Sequence, residues 1–414
     1  MTVNTPHTSE DQPEPTAEVA LPPTVRARLD RVTHSVLVDT RALARVRERF
    51  DAEQAQALGR YLASAQSPNT LRAYRTDWTS FTAWCLAEHR QSLPADPVDV
   101  AVYLAACAQA RTDDGTGWAL APSSIERRSA AIAAVHGAHG LETPTRAEVV
   151  RMTLRGIRRT RKSRPRRKDP VVLSTLEALL AVRPADGFPG GVSRRRDTVL
   201  LLTGFAGALR RTELASLTFD DVAVRTDASS GIPALVVRLG STKTDQEGRH
   251  GQVVALPRGR HRHTCPVCAL ADWSQVLEAH RDGGSKAVRA LVEGSVAVAS
   301  PAHRCQGWRG TSLADGSERP LLPAVTQHGR VGERPMSGRA VGEVVKRYAE
   351  RAGLDPDDFG GHSLRAGFAT QAALGGATDR EIMRQGRWTN PRTVHDYIRT
   401  ANPLEDNAVT RLGL

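Results

Sequence analysis

The stretch Thr378-Asp379-Arg380-Glu381-Ile382-Met383-Arg384-Gln385-Gly386-Arg387-Trp388-Thr389-Asn390-Pro391-Arg392-Thr393-Val394-His395-Asp396-Tyr397 spells two short helices and the turn between them. Thr378 and Glu381 stand at capping-box spacing and open a helix carrying Ile382 and Met383. Gly386 follows where that helix stops and predicts a left-handed cap. Asn390-Pro391 opens the next helix, with Asn as cap and Pro at the first position. There Val394, Tyr397 and Ile398 share one face, so the tyrosine lies partly inward, towards Trp388 in the turn. Capping residues alone thus place an indole and a phenol on adjoining elements.

Outward from this stretch lie further groups suited to one chemistry. Gly361-His362-Ser363-Leu364-Arg365 precedes it, and Arg210 with Glu213 stands in Gly207-Ala208-Leu209-Arg210-Arg211-Thr212-Glu213-Leu214. Lys243 lies in Gly240-Ser241-Thr242-Lys243-Thr244-Asp245. A phosphodiester in transfer redistributes charge over its non-bridging oxygens, and the guanidinium forks of Arg210 and Arg365 match those oxygens in pairs. Donors set in advance where charge develops are usually the largest catalytic term. Tyr397 is the candidate nucleophile. With a reference pKa near 10 its ionisation at pH 7 costs about 4 kcal/mol, an amount that neighbouring cations and a proton acceptor offset. His362 is the candidate acceptor or orienting group, Lys243 the donor to the departing 5′ oxygen, and Trp388 an indole donor to a phosphate oxygen. Glu213 is expected to position the site from behind. No cluster of carboxylates is spaced to hold magnesium, so metal-free, cofactor-free chemistry is expected.

Singly, these residues say little. Of 57 basic residues only Lys162, Lys168, Lys243, Lys286 and Lys346 are lysines, so any one arginine is more often surface than site. The same skew makes Lys243 more informative. Order and spacing carry the case: Arg, Lys, His-x-x-Arg, Trp and Tyr, in this sequence, resemble the signature of the tyrosine recombinases, or phage integrase family. The run Glu381 to Asn390, continuing through Asp396-Tyr397-Ile398-Arg399, resembles the Cre-like branch, where tryptophan stands in place of a second histidine. Asp77-Trp78, Ala83-Trp84-Cys85 and Pro94-Ala95-Asp96-Pro97-Val98-Asp99-Val100-Ala101-Val102-Tyr103-Leu104 look similar too, so the resemblance spans roughly residues 66–414. Two departures stand out, a long interval between Lys243 and His362, and Arg387 where a small residue is expected.

The resemblance implies a mainly α fold with a small β-sheet, arranged as a two-domain C-shaped clamp. A helical, SAM-like core-binding domain over 25–160 would follow a disordered segment 1–24. A basic linker at 161–170 would lead to a catalytic α/β domain over 171–414 that ends in a docking helix. The activity implied is site-specific cleavage and rejoining of double-stranded DNA through a 3′-phosphotyrosine and a Holliday junction. The protein would work as a tetramer held by its carboxyl-terminal helix, with accessory directionality factors as further partners. The alternatives are type IB topoisomerase-like relaxation and a non-catalytic DNA-binding protein of replication or partition.

Composition agrees with a polyanionic partner. The 414 residues carry a net charge of +12, and the run from Arg158 to Lys168 concentrates it. Arg158, Arg159, Arg161, Lys162, Arg164, Arg166, Arg167 and Lys168 are the expected backbone-phosphate contacts. Five cysteines, an odd number, fit a reducing cytoplasm, and neither a signal peptide nor a spanning segment is legible, so nucleoid-associated, cytoplasmic work without a membrane is expected.

Elsewhere, helices are expected at 25–60, from Ser67-Pro68, at 97–111, at 123–137 from a Ser123–Glu126 capping box, at 146–159 and at 337–352. Strands are expected at 234–239 and 251–256, flanking Lys243, and an irregular insertion over 281–335. His261-x-His263-x-Cys265-x-x-Cys268, with His303 and Cys305 later, has the residue types of a zinc site. The His-x-His-x-Cys spacing is tight and no second cysteine pair echoes it, so no metal is expected.

Overall fold

The computed structural model describes residues 67–161, 168–182, 186–240, 251–296 and 302–397, with single positions between 51 and 61 and at 409 and 412. The segment 1–24, most of the helix expected over 25–60, Lys162, Arg164, Arg166, Arg167, Lys243 and the carboxyl-terminal docking helix therefore lie outside the described residues. The chain divides into two compact units, Met1–Pro165 and Arg166–Leu414. No described helix is long and apolar enough to cross a membrane.

In the first unit, α1 (Pro68–Ala87), α2 (Pro97–Gln109), α3 (Pro122–Ala138) and α4 (Glu148–Thr160) follow one another. Ser67 caps α1 by accepting the Thr70 N–H at 3.2 Å, and Asp96 caps α2 from the Val98 N–H at 2.7 Å; each is followed by proline. The Ser123–Glu126 capping box does not form. Pro122, its φ fixed, occupies the first position, so Ala121 is the cap and Ser123 is already helical. Glu126 instead lies 3.6 Å from Arg158. Phe81, Leu104, Ile125, Ile132 and Val150 are fully buried between the helices, each stabilising by about 1.5–3 kcal/mol relative to exposure. Asp77, also buried, is held by Arg127 at 2.7 and 3.1 Å.

The second unit is built on α6 (Gly190–Ala206), which follows α5 (Leu173–Ala181) and precedes the short α7 (Arg211–Ser216). Strands β1 (Val222–Thr226), β2 (Pro233–Leu239) and β3 (Gln252–Pro257) then form an antiparallel sheet with β2 central. Alternation puts Leu235, Val237, Leu239, Val254 and Leu256 on its buried face. Next come α8 (Pro266–Val296), the hairpin β4 (Pro323–Val325) and β5 (Val331–Pro335), and α9 (Gly338–Arg351). The unit closes with α10 (Ser363–Leu374), α11 (Asp379–Gly386) and α12 (Pro391–Tyr397). α6 packs against α8, α9 and α10. Val199, Leu200 and Leu201 of α6 are wholly buried.

The expectation of an irregular 281–335 needs correction. α8 breaks at Gly283 and Gly284 and then resumes to Val296. Val288 and Val292 continue its apolar face into the core, so burial carries the helix past the glycines. Within 281–335, irregular backbone is confined, among the described residues, to the stretch from Ala302 to the β4–β5 hairpin.

Candidate active site

Arg210 and Glu213 lie at the start of α7, immediately after a tight turn through Gly207-Ala208-Leu209. Ala208 holds a left-handed φ of 47° there, which turns its carbonyl towards the guanidinium groups of two later elements. The Arg210 N–H donates to Glu213 Oε2 at 2.9 Å, and its guanidinium pairs with Glu213 Oε1. Arg365, on α10, is 2 % exposed and donates from Nη1 to the Ala208 carbonyl. Its plane covers the Trp388 ring at 4.2 Å. Its Nη2 is buried and has no hydrogen-bond partner among the described residues. A buried guanidinium nitrogen without an acceptor is costly, and this one would be satisfied by an anionic oxygen.

Trp388 sits in the turn between α11 and α12, its ring 5.4 Å from that of Tyr397. Tyr397, half-buried at the end of α12, has its carbonyl 2.9 Å from the Thr370 hydroxyl on α10. His362, exposed at the N-terminus of α10, has its ring 6.5 Å from the phenol ring. Ala208, Ala369, Ile382, Trp388 and Val394 form the small apolar cluster that supports this corner. The structure therefore brings Arg210, Glu213, His362, Arg365, Trp388 and Tyr397 together from four separate elements. Lys243 falls in 241–250, between β2 and β3, outside the described residues.

Arg387 was missed in the sequence, where it read only as an anomaly. It is 9 % exposed and donates to Glu213 Oε2 at 2.8 Å and to the Gly207 and Ala208 carbonyls at 3.0 and 3.3 Å. Glu213 is thus clasped between Arg210 and Arg387. Burial pushes the Glu213 carboxyl up, but the Arg210 N–H and the two guanidinium groups outweigh it and hold it below the usual range. Arg365, by contrast, is pushed down to about 9 by burial and by the nearby charges of Arg210 and Arg387. Three cations around one carboxylate leave a local surplus of positive charge facing Tyr397. Arginine is so abundant here that only its pairing with Glu213 in space distinguishes Arg387.

The α11 terminus also differs from expectation. Arg387, with φ of 57°, is the left-handed cap, and Gly386 is the last helical residue. Gly386 is required for another reason: a Cβ there would fall 1.8 Å from the Trp388 ring. Gly386→Ala is therefore expected to displace Trp388 from Arg365. Overpacking should lower stability by about 1–3 kcal/mol, and DNA cleavage should fall by more than that loss of folded protein explains. Chemical denaturation and single-turnover cleavage on the same sample check this.

Among the linker cations, Arg158 and Arg159 are exposed on α4, while Arg161 serves its own unit. Its guanidinium donates to the Ala108 and Leu120 carbonyls at 2.6 and 2.8 Å and covers Trp118 at 4.1 Å, so it is not poised for a phosphate. Lys168 donates to the Asp357 carbonyl.

The phage integrase family profile matches residues 315–402. An integrase/recombinase xerD homolog of Selenomonas ruminantium is 31% identical over 356 residues, covering 85% of this chain and 88% of that protein. The chain belongs to the phage integrase family. Recombinase cre of Escherichia phage P1 is 25% identical over 84% of this chain and 88% of its own. A solved XerH site-specific recombinase bound to palindromic difH substrate aligns with 94% of this chain and 92% of its own, at 13% identity and a TM-score of 0.49. As a tyrosine recombinase, the chain is an enzyme of DNA strand breakage and rejoining.

Proposed function

We propose that this tyrosine recombinase acts on duplex DNA at a specific site, with Tyr397 as nucleophile. The carrying observation is the convergence of Arg210, Arg365, His362, Trp388 and Tyr397 in one corner of the second unit, where a buried Arg365 nitrogen has no hydrogen-bond partner among the described residues. The scissile phosphate is held by Arg210 and Arg365. The Tyr397 oxygen attacks phosphorus and forms a 3′-phosphotyrosine, while the 5′ oxygen leaves and takes a proton. His362 accepts the phenolic proton and Lys243, by the family resemblance, donates to the leaving oxygen. Attack of a 5′ hydroxyl from a partner strand reverses these steps and releases the tyrosine. Repeated for the second strand, this passes through a Holliday junction. Trp388 between Arg365 and Tyr397 supports the Cre-like reading of the site.

The helical unit around α1 to α4 would contribute a second DNA-binding surface, with the exposed Arg158 and Arg159 on phosphates. Asn402-Pro403-Leu404-Glu405, with Leu404, Ala408, Val409 and Leu412 after it, spells a short apolar helix that is marginal alone and would dock on a neighbouring protomer. Deleting residues 403–414 should therefore spare DNA binding and some cleavage but abolish strand exchange in a two-duplex assay; intact exchange refutes the docking role.

Recombination is separated from supercoil relaxation by one assay. A plasmid bearing two copies of the DNA flanking the protein's own gene should resolve into two circles, and a plasmid with one copy should not. Relaxation of both without resolution would favour the topoisomerase reading, and salt-sensitive binding without either product the non-catalytic one.

A further inference from the structure

Cys265, Cys268, His303 and Cys305 converge in the second unit, and every pair of their ligand atoms lies within 4.8 Å. Cys265 Sγ is 3.9 Å from Cys305 Sγ, and His303 Nδ1 is 3.4 Å from Cys268 Sγ and 3.7 Å from Cys305 Sγ. A disulfide needs about 2.05 Å between sulfurs, so this is no cystine. Four ligands at tetrahedral corners around zinc, with bonds of about 2.0–2.3 Å, stand about 3.3–3.8 Å apart. The separations of 3.4, 3.7 and 3.9 Å are close to that size, and the widest pair stays within 4.8 Å.

We propose that these four residues form a structural zinc site. Three thiolates and one imidazole are a closed ligand set, leaving no position for substrate. The three cysteines are fully buried, and the pair Cys265 and Cys268 is pre-set by the chain. Cys265 follows a single 3-10 turn, Pro266 starts α8, and the Cys268 N–H points to Cys265 Sγ at 3.5 Å. His303 presents Nδ1 to the thiols while Nε2 faces the Arg260 carbonyl at 3.4 Å. A carbonyl behind the second ring nitrogen is what fixes the tautomer of a metal-binding histidine. Arg262 and Arg304, neighbours of these residues in sequence, brace Asp272 at 3.3 and 3.2 Å.

His261 and His263, whose spacing in the sequence is tight for a tetrahedral site, stack on each other with ring centroids 5.6 Å apart and lie outside the cluster. The other half of the set comes from His303-x-Cys305, 35 residues downstream of Cys268. The ion gives the irregular stretch after Ala302 an anchor. That stretch has few backbone ladders of its own, yet it buries Leu313, Leu321 and Leu322 and leads into β4. Zinc would tie its start to the head of α8, where ligation is folding free energy.

The test is elemental analysis of the full-length protein, purified without a metal-affinity tag. Stoichiometric zinc is expected in the wild type and in His261→Ala/His263→Ala, and loss of zinc in Cys268→Ser/Cys305→Ser. Cobalt grown into the wild type should show the visible bands of a tetrahedral ion and the near-ultraviolet bands of thiolate ligation. Should the cysteine variant fail to fold, wild-type stoichiometry and the cobalt spectrum still decide. Wild type without metal that takes up none on titration, iron in place of zinc, or zinc lost only in the His261/His263 variant would overturn the proposal.

Discussion

Arg365→Lys should slow single-turnover cleavage by roughly 10²- to 10³-fold, the loss usual for one preorganised oxyanion donor. The guanidinium does three things at once: it donates to the Ala208 carbonyl, covers Trp388 at 4.2 Å, and keeps Nη2 for an anion. A lysine ammonium is a point charge on a flexible stem and cannot stack or span two acceptors. DNA affinity sums many phosphate contacts and should fall far less. Gel-shift titration beside cleavage of a nicked duplex gives both numbers. Equal losses in binding and cleavage would mean that Arg365 contributes only charge.

Glu213→Gln should cost about 3–5 kcal/mol, because it strands the buried Arg387 and Arg210 cations without a counter-charge. For a unit of this size that is a fall in Tm of roughly 10 °C. The second substitution Arg387→Met should recover much of the loss, since removing both partners is far milder than removing one. Non-additivity of that kind, read by thermal denaturation, separates a clasped carboxylate from mere packing. The pH dependence has a definite sign. The folded Glu213 carboxyl sits below its unfolded value of 4.5, so its contribution is complete above pH 4.5 and is lost as pH falls through the folded value. Glu213→Gln should flatten that acid limb.

The helices of the site were legible because caps are local. Thr378 and Glu381, and Asn390 with Pro391, announce α11 and α12 without reference to the rest of the chain. The site set was legible because its order survives in sequence. Two kinds of fact were not. Arg387 and Gly386 act through contacts with Glu213, Gly207 and Trp388, and no local pattern tells a buried arginine from its many exposed neighbours. The helix past Gly283 and Gly284 survives through tertiary burial of Val288 and Val292, which overrides glycine's poor propensity. The sequence supplied the residue types of the Cys265 cluster, but only the fold separates Cys265, Cys268, His303 and Cys305 from His261 and His263.

The central claim is that Tyr397 cleaves DNA by becoming joined to it. End-labelled nicked duplexes from the DNA flanking the gene, incubated with wild type or Tyr397→Phe without added magnesium and then denatured, test it directly. A protein-linked labelled strand with wild type alone, and equal duplex binding by both proteins, is the predicted result. An adduct that persists in Tyr397→Phe, or no adduct from wild type that binds the same fragment and resolves it, would contradict the account.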